Sequence, residues 1–189
     1  MVSSIEQLAP GFLIAAPTLQ DPNFVRTVVL MCLHNEEGAM GLVINRTAPF
    51  SMGEIMEQLG VEYTGKLTKQ ALVGGPVALD NGLLLYRVAP GSSRREDEIS
   101  VSDELRLCPS RDLLLEIGQG REPKDYHMFL GHAGWGPGQL ELEIAQAAWV
   151  PATLSMDLIF TVPFEDRWDE ALRAEGLNAA QLGTFRPQA

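Results

Sequence analysis

A chain of 189 residues, 46% hydrophobic and 21% charged, is long enough for one well-buried core and short for two, so it is read as a single domain over 1–189 with a loose tail from about residue 178. The net charge of −11, from 25 acids against 14 bases, repels a polyanion. No basic stripe offsets it, because Arg94-Arg95 runs straight into Glu96-Asp97-Glu98, and direct nucleic-acid binding is therefore not expected. No uncharged apolar run approaches the roughly 18 residues of a membrane span, and the start lacks a basic region ahead of an apolar core, which argues against a membrane span or a signal peptide. The two cysteines, Cys32 and Cys108, lie in or beside apolar runs and read as buried thiols of a reducing cytoplasm rather than a disulfide framework.

Along the chain, Ser3 to Leu8 reads as one helical turn ended by Pro10-Gly11, and Phe12 to Ala16 as a first strand stopped by Pro17. Thr18 to Asn23 is loop, since Asp-Pro and the nearby Asn favour local side-chain bonds to the backbone. Phe24 to Leu33 and Ala39 to Asn45 are apolar and rich in branched residues. The intervening His34 to Gly38 predicts a hairpin with a four- to five-residue loop. Ser51-Met52-Gly53-Glu54 fits a capping box, and Met52, Ile55, Met56 and Leu59 follow at i, i+3, i+4 and i+7, with Gly60 placed to end the helix.

Ala71 to Val73 is a short strand, after which Asp80-Asn81-Gly82 predicts a turn into the strand Leu83 to Val88. Residues 91 to 98 are polar with mixed charge and read as a solvated loop. Short strands follow at Ile99 to Val101 and Leu105 to Cys108. Ser110 is then placed to cap a helix with Leu113, Leu114 and Ile117 inward and Gly118 after its last turn. Tyr126, Met128 and Leu130 alternate with His127 and Phe129 as a strand that Gly131 should stop. A glycine-rich joint through Gly138 turns the chain, with Pro137 opening a helix whose inward residues are Leu140, Ile144 and Ala147 or Ala148. A positive φ at Gly134, in the middle of that joint, would exclude any residue with a Cβ. Asp157 to Val162 reads as a strand, and Phe164, Trp168, Ala171 and Leu172 form the inward face of a last helix closed by Gly176. Strands outnumber helices and hairpin spacings dominate, so the class is α+β with a mixed, mainly antiparallel sheet.

Little in this pattern points to a reaction. The glycine joint matches neither the phosphate loop G-x-x-x-x-G-K-[ST] nor the dinucleotide fingerprint G-x-G-x-x-G, and it reads as tight strand-to-helix packing. Of the three histidines, His34, His127 and His132, no two have the i, i+4 spacing of a helical metal pair, so no metal or cofactor is assigned. There is no G-x-S-x-G elbow. Glu141 and Glu143 are two apart on a helix, point to different faces and do not form a carboxylate pair, and one of them is expected to face solvent. Trp135, Trp149 and Trp168 sit beside apolar faces and read as packing residues.

Phe12 to Pro17, Asp21-Pro22-Asn23-Phe24, Arg26, Val28-Val29, His34 and Gly38 to Asn45 together resemble the YqgE/AlgH family of bacterial proteins. Gly74-Gly75-Pro76-Val77, Gly131 to Trp135, Gly138-Gln139-Leu140-Glu141 and Asp166-Arg167-Trp168 extend the resemblance in order over roughly residues 8 to 177. Leu33 stands where a glutamate often precedes the motif histidine, and His132 where a tyrosine is usual. The resemblance implies a branched sheet curled toward a pseudo-barrel with flanking helices. Some members carry a name as regulators of alginate production or of transcription, and the resemblance brings no settled catalytic residues with it.

Three functions compete: a non-enzymatic regulatory domain that binds a small molecule or a protein, an enzyme of unknown reaction, and a DNA-binding regulator, which the charge opposes. A polar site for the second would gather Arg26, His34 and Asn45 from the first hairpin with His132 and Gln139 from the joint. Convergence of those five side chains in one pocket would favour the enzyme, and an apolar groove the binding domain.

Overall fold

The computed structural model describes residues 7–109, 111–121 and 123–182. The chain forms two compact units, Met1–Arg46 with Ala133–Ala189, and Thr47–His132. Strands outnumber helices, as the hairpin spacings predict, and the class is α+β with a branched, mixed, mainly antiparallel sheet. The expected helical turn at Ser3 falls largely outside the described residues, as does Ser110 and the end of the tail.

In the first unit β1 (Gly11–Ala15) lies antiparallel between β2 (Val28–Asn35) and β10 (Trp149–Ala152), and β2 pairs with β3 (Gly38–Val43). β3 pairs in turn with Ala133 to Trp135, the last residues of β9 (Tyr126–Trp135). Leu13, Val29, Met31, Trp135, Leu140 and Trp149 centre its core. The second strand begins later than the apolar run suggests. Phe24 to Arg26 is a turn, with Arg26 at φ 54°, and the strand runs on through His34 to Asn35, which pairs with Gly38. The hairpin loop is thus only Glu36-Glu37, and Gly38 at φ +137° makes that short reversal possible.

The second unit holds β4 (Thr47–Ser51), β5 (Gln70–Val73), β6 (Val77–Arg87), β7 (Ile99–Ser100), β8 (Leu105–Cys108) and the beginning of β9. β6 lies antiparallel between β8 and β9, and β5 runs parallel to β9, so β9 is where the sheet branches. α1 (Met52–Gln58) starts as its sequence dictates. Ser51 Oγ accepts from the Glu54 amide while the Glu54 carboxylate accepts from the Ser51 amide at 2.7 Å. Met52, Ile55 and Met56 are buried, but Leu59 is not. It is the C-cap, and Gly60 at φ +63° turns the chain away before that residue can reach the core. α2 (Arg111–Gly118) buries Leu113, Leu114 and Ile117 as its spacing predicts.

Two expected turns are strand. Asp80-Asn81-Gly82 stays within β6, where Val77 pairs with His132 and Gly82 with Leu130, so residues 78–81 bulge opposite Gly131 alone. Gly131 does not stop β9 either. At φ +72° it accommodates this bulge, and a Cβ there would stand 2.6 Å from the Gly75 carbonyl oxygen and 2.9 Å from that of Val77. Gly134, by contrast, has no positive φ, and a Cβ on it would meet nothing within 4 Å. The glycine that needs its freedom is the one facing the bulge, and the positive φ considered for Gly134 is not found.

α3 (Gln139–Ala145) has left-handed Gly138 as its N-cap, so Pro137 stands outside the helix rather than in its first turn. The stretch read as a strand from Asp157 is instead the short helix α4 (Met156–Phe160), opened by Ser155 Oγ accepting from the Leu158 amide. A four- to six-residue apolar run is ambiguous by periodicity alone, and here the cap decides it. A 3-10 turn at Phe164–Asp166 leads into α5 (Arg167–Ala174), which buries Trp168, Ala171 and Leu172 and is closed by Gly176 at φ +72°. α6 (Ala179–Leu182) follows.

Candidate functional site

Four of the five candidate polar residues lie in the first unit, and their polar groups are largely committed to holding backbone. Asn45 ties the start of β2 to the preceding turn: its Oδ1 accepts from the Val28 amide and its Nδ2 donates to the Arg26 carbonyl, both at 2.9 Å. Arg46 completes the clamp, donating from Nη1 to the carbonyls of Pro22 and Asn23 at 2.8 Å and from Nη2 to that of Val25 at 3.1 Å. Arg26 itself stacks 4.1 Å over the Trp168 ring and stands 3.5 Å from Asp169, largely exposed. A planar guanidinium on an indole is a stable surface arrangement in its own right.

His34 is buried by its neighbours. Its Nδ1 accepts from the Leu8 amide at 3.1 Å, so the ring proton sits on Nε2 and is donated to Glu141 Oε1 at 2.8 Å. That contact, after the bond from its own backbone amide, holds the Glu141 carboxyl below the ordinary range. Gln139 has both halves of its amide engaged, Oε1 with the Gly136 amide and Nε2 with Glu143 Oε1, each at 3.0 Å. Glu143 in turn accepts from two indoles on Oε2, Trp135 at 2.9 Å and Trp149 at 2.8 Å, and Phe24 packs against both rings. The two glutamates do point to different faces. Neither, however, is the solvent-facing acid expected from the sequence, since both are half-buried and bonded.

His132 belongs to the second unit, half-buried in β9 opposite Val77. The structure therefore brings Asn45 against the Arg26 backbone, and it ties His34 and Gln139 to neighbouring glutamates of α3. Both cysteines are buried, and burial pushes the Cys32 thiol up to about 12, far from the reactive range.

Sequence reasoning passed over Arg167. Its side chain is 2% exposed, and it donates to the carbonyls of Val162 at 2.9 Å, Ile44 at 2.6 Å and Ile159 at 2.7 Å, with the Phe164 ring 4.5 Å away. Burial lowers its pKa to about 10, which still leaves it charged at neutral pH. Beside it, Trp168 Nε1 donates to the Ala15 carbonyl at 2.9 Å.

Exposed apolar side chains collect elsewhere. Phe50, Leu59 and Leu79 are between 39% and 53% exposed, and all three line one groove of about 340 Å3 in the second unit with Ile55, Met128 and Leu130. Gln58 and Asp80 are its polar wall residues. Gly82 keeps the groove open, because a Cβ there would come 3.2 Å from the Met128 methyl. The bulge of β6 produces this groove by carrying Leu79 out of the regular ladder.

These features define an α+β protein whose branched sheet turns on one long strand and whose exposed apolar surface includes a groove beside a bulge. The chain matches the AlgH-like family model (DUF179) over residues 12–180 and belongs to that family, also known as YqgE/AlgH. It is 41% identical over 179 residues to a UPF0301 protein of Anaeromyxobacter dehalogenans, covering 92% of this chain and 90% of that one. With a UPF0301 protein of Photobacterium profundum it shares 41% identity over 181 residues, 93% and 95% of the two chains. The solution structure of the AlgH protein of Pseudomonas aeruginosa superimposes with a TM-score of 0.78 at 35% identity over the whole of both chains. A crystal structure of a Corynebacterium diphtheriae protein gives 0.74 at 25% identity over 94% and 92%.

Proposed function

We propose that this chain is a non-enzymatic binding domain of the cytoplasm that docks a short apolar segment of a partner protein in the groove of its 47–132 unit. The observation that carries this reading is the gathering of Phe50, Leu59 and Leu79 around one groove, each substantially exposed in a chain that buries most of its other large apolar residues. Anchoring two or three apolar side chains there is worth roughly 1.5–3 kcal/mol each before the cost of ordering the partner, which suits weak, transient recognition. The candidate polar residues support it from the other side, since Asn45, His34 and Gln139 spend their polar groups on structure. Any regulation would then run through a protein rather than through DNA, which the charge of −11 repels. Two buried thiols are in keeping with a reducing compartment.

The test is a selection of random peptides on the purified protein, followed by binding to Leu79→Asp. Enriched peptides with apolar anchors that lose at least tenfold in affinity on the variant are expected. No enrichment, or binding indifferent to Leu79→Asp, would overturn the reading.

A further inference from the structure

Resting on the docking reading above, the geometry points to a more specific partner: we infer that the groove takes an amphipathic segment carrying one Lys or Arg among its apolar anchors, placed to meet Asp80. Among the residues that line the groove, Asp80 alone bears a charge. It is exposed, and among the described residues no side-chain hydrogen bond or ion pair engages its carboxylate. A carboxylate facing solvent at no structural task, in a wall otherwise built of Phe50, Ile55, Leu59, Leu79, Met128 and Leu130, does not help those side chains to pack. An apolar partner lying across it would strip its water, and a cation on that partner offsets the loss more fully than a neutral donor.

The surroundings give the same sign. Glu54, one helical turn before the groove residue Gln58, adds a second exposed carboxylate on that side of α1, and the chain as a whole carries −11. Arg111 donates its Nη2 hydrogen to the carbonyl of the groove residue Leu59 at 3.0 Å and sets one positive charge against these carboxylates. Length also fits. The groove is bordered by α1 on one side and by β6 on the other, and a helix of about three turns presents anchors at i, i+3 and i+7 to such a cleft. Met128, unbranched and reached through the gap that Gly82 leaves, can adjust to the anchor it meets.

The experiment uses the full chain with methyl groups of Leu, Ile and Met labelled for NMR. The probes are fluorescent peptides of about 12 residues with Phe, Leu and Leu at i, i+3 and i+7, in which Lys, Gln or Glu occupies each remaining position in turn. Binding is expected to shift the Leu59, Leu79 and Met128 methyls. Lys at one or two neighbouring positions should tighten binding about three- to tenfold over Gln, and Glu should weaken it. This preference should vanish in Asp80→Asn and in 0.5 M salt (about a 4 Å Debye length), and reverse in Asp80→Lys, whose unperturbed methyl spectrum elsewhere shows the fold intact.

If Gln, Glu and Lys peptides bind alike and still shift the groove methyls, the charge inference fails while the docking reading stands. If no peptide shifts them, both fail. If the same methyls shift with protein concentration alone, the occupant is a second copy of this chain and the inference is overturned.

Discussion

Arg167 buries a charge and divides it among three main-chain carbonyls, those of Ile159 in α4, Val162 just after it and Ile44. Replacing it by Ala leaves buried acceptors bare, and replacing it by Lys offers one compact ammonium where a planar fork had reached three oxygens. Both variants are expected to lose about 2–4 kcal/mol in urea unfolding, with Lys the milder; a midpoint that does not move would remove Arg167 from the framework. None of this was readable from the residue's neighbourhood, because its acceptors lie 5, 8 and 123 positions away. Acid stability follows from two other side chains. The Ser51 amide first, then its hydroxyl, holds the Glu54 carboxyl below its ordinary range, and the Glu141 carboxyl is held down by its own amide and by His34. A lowered folded-state pKa means the stabilisation is present above the unfolded value of roughly 4.3 and is lost as pH falls through the folded value. Stability should therefore decline from about pH 5 toward pH 3, and the decline should be shallower in Glu54→Gln combined with Glu141→Gln. Equal slopes in urea titrations of the two proteins would count against it.

At the scale of elements, local chemistry was visible and long-range geometry was not. The capping box at Ser51 needs only four residues to be recognised, and it is present with both its bonds. Ser51→Ala should cost about 1 kcal/mol, measured by the denaturation midpoint. The joint at 131–138 shows the opposite case. Its glycines suggested a turn, yet β9 continues because β3 and β6 supply ladder partners drawn from elsewhere in the chain. The bulge of β6 opposite Gly131 cannot be read from the strand that accommodates it. Gly131→Ala meets two carbonyl oxygens and a positive φ at once, so a loss of at least about 2 kcal/mol is expected, whereas Gly134→Ala should stay within about 0.5 kcal/mol. Thermal melts of the two variants that coincide would contradict the geometry. The same reasoning explains the groove: the sequence pattern places Leu59 on a helix face and gives Leu79 no role, and the helix end and the bulge expose them.

For the molecule as a whole, class and family were legible in the sequence, because strand count, turn spacing and ordered motifs are properties of the full chain rather than of any one contact. The candidate site was not, since a polar side chain looks the same in a sequence whether it faces a substrate or a carbonyl. Charge acts at this scale too: duplex DNA should show no saturable binding in anisotropy titrations at about 0.15 M salt, and micromolar, length-dependent binding would reopen direct gene regulation. The division of the chain has a further consequence, which concerns synthesis. Residues 47–132 are one uninterrupted stretch, while the other unit is written in two pieces on either side of them. β1 is made early, but its partner β10 and the indole of Trp168, which binds the Ala15 carbonyl 153 positions back, come last. At about 5–20 residues per second the ribosome needs on the order of ten seconds to supply them. The nascent chain therefore carries Phe12 to Ile14 and Val28 to Met31 without their final cover throughout that interval, and the first strands to be translated are among the last to be sheltered.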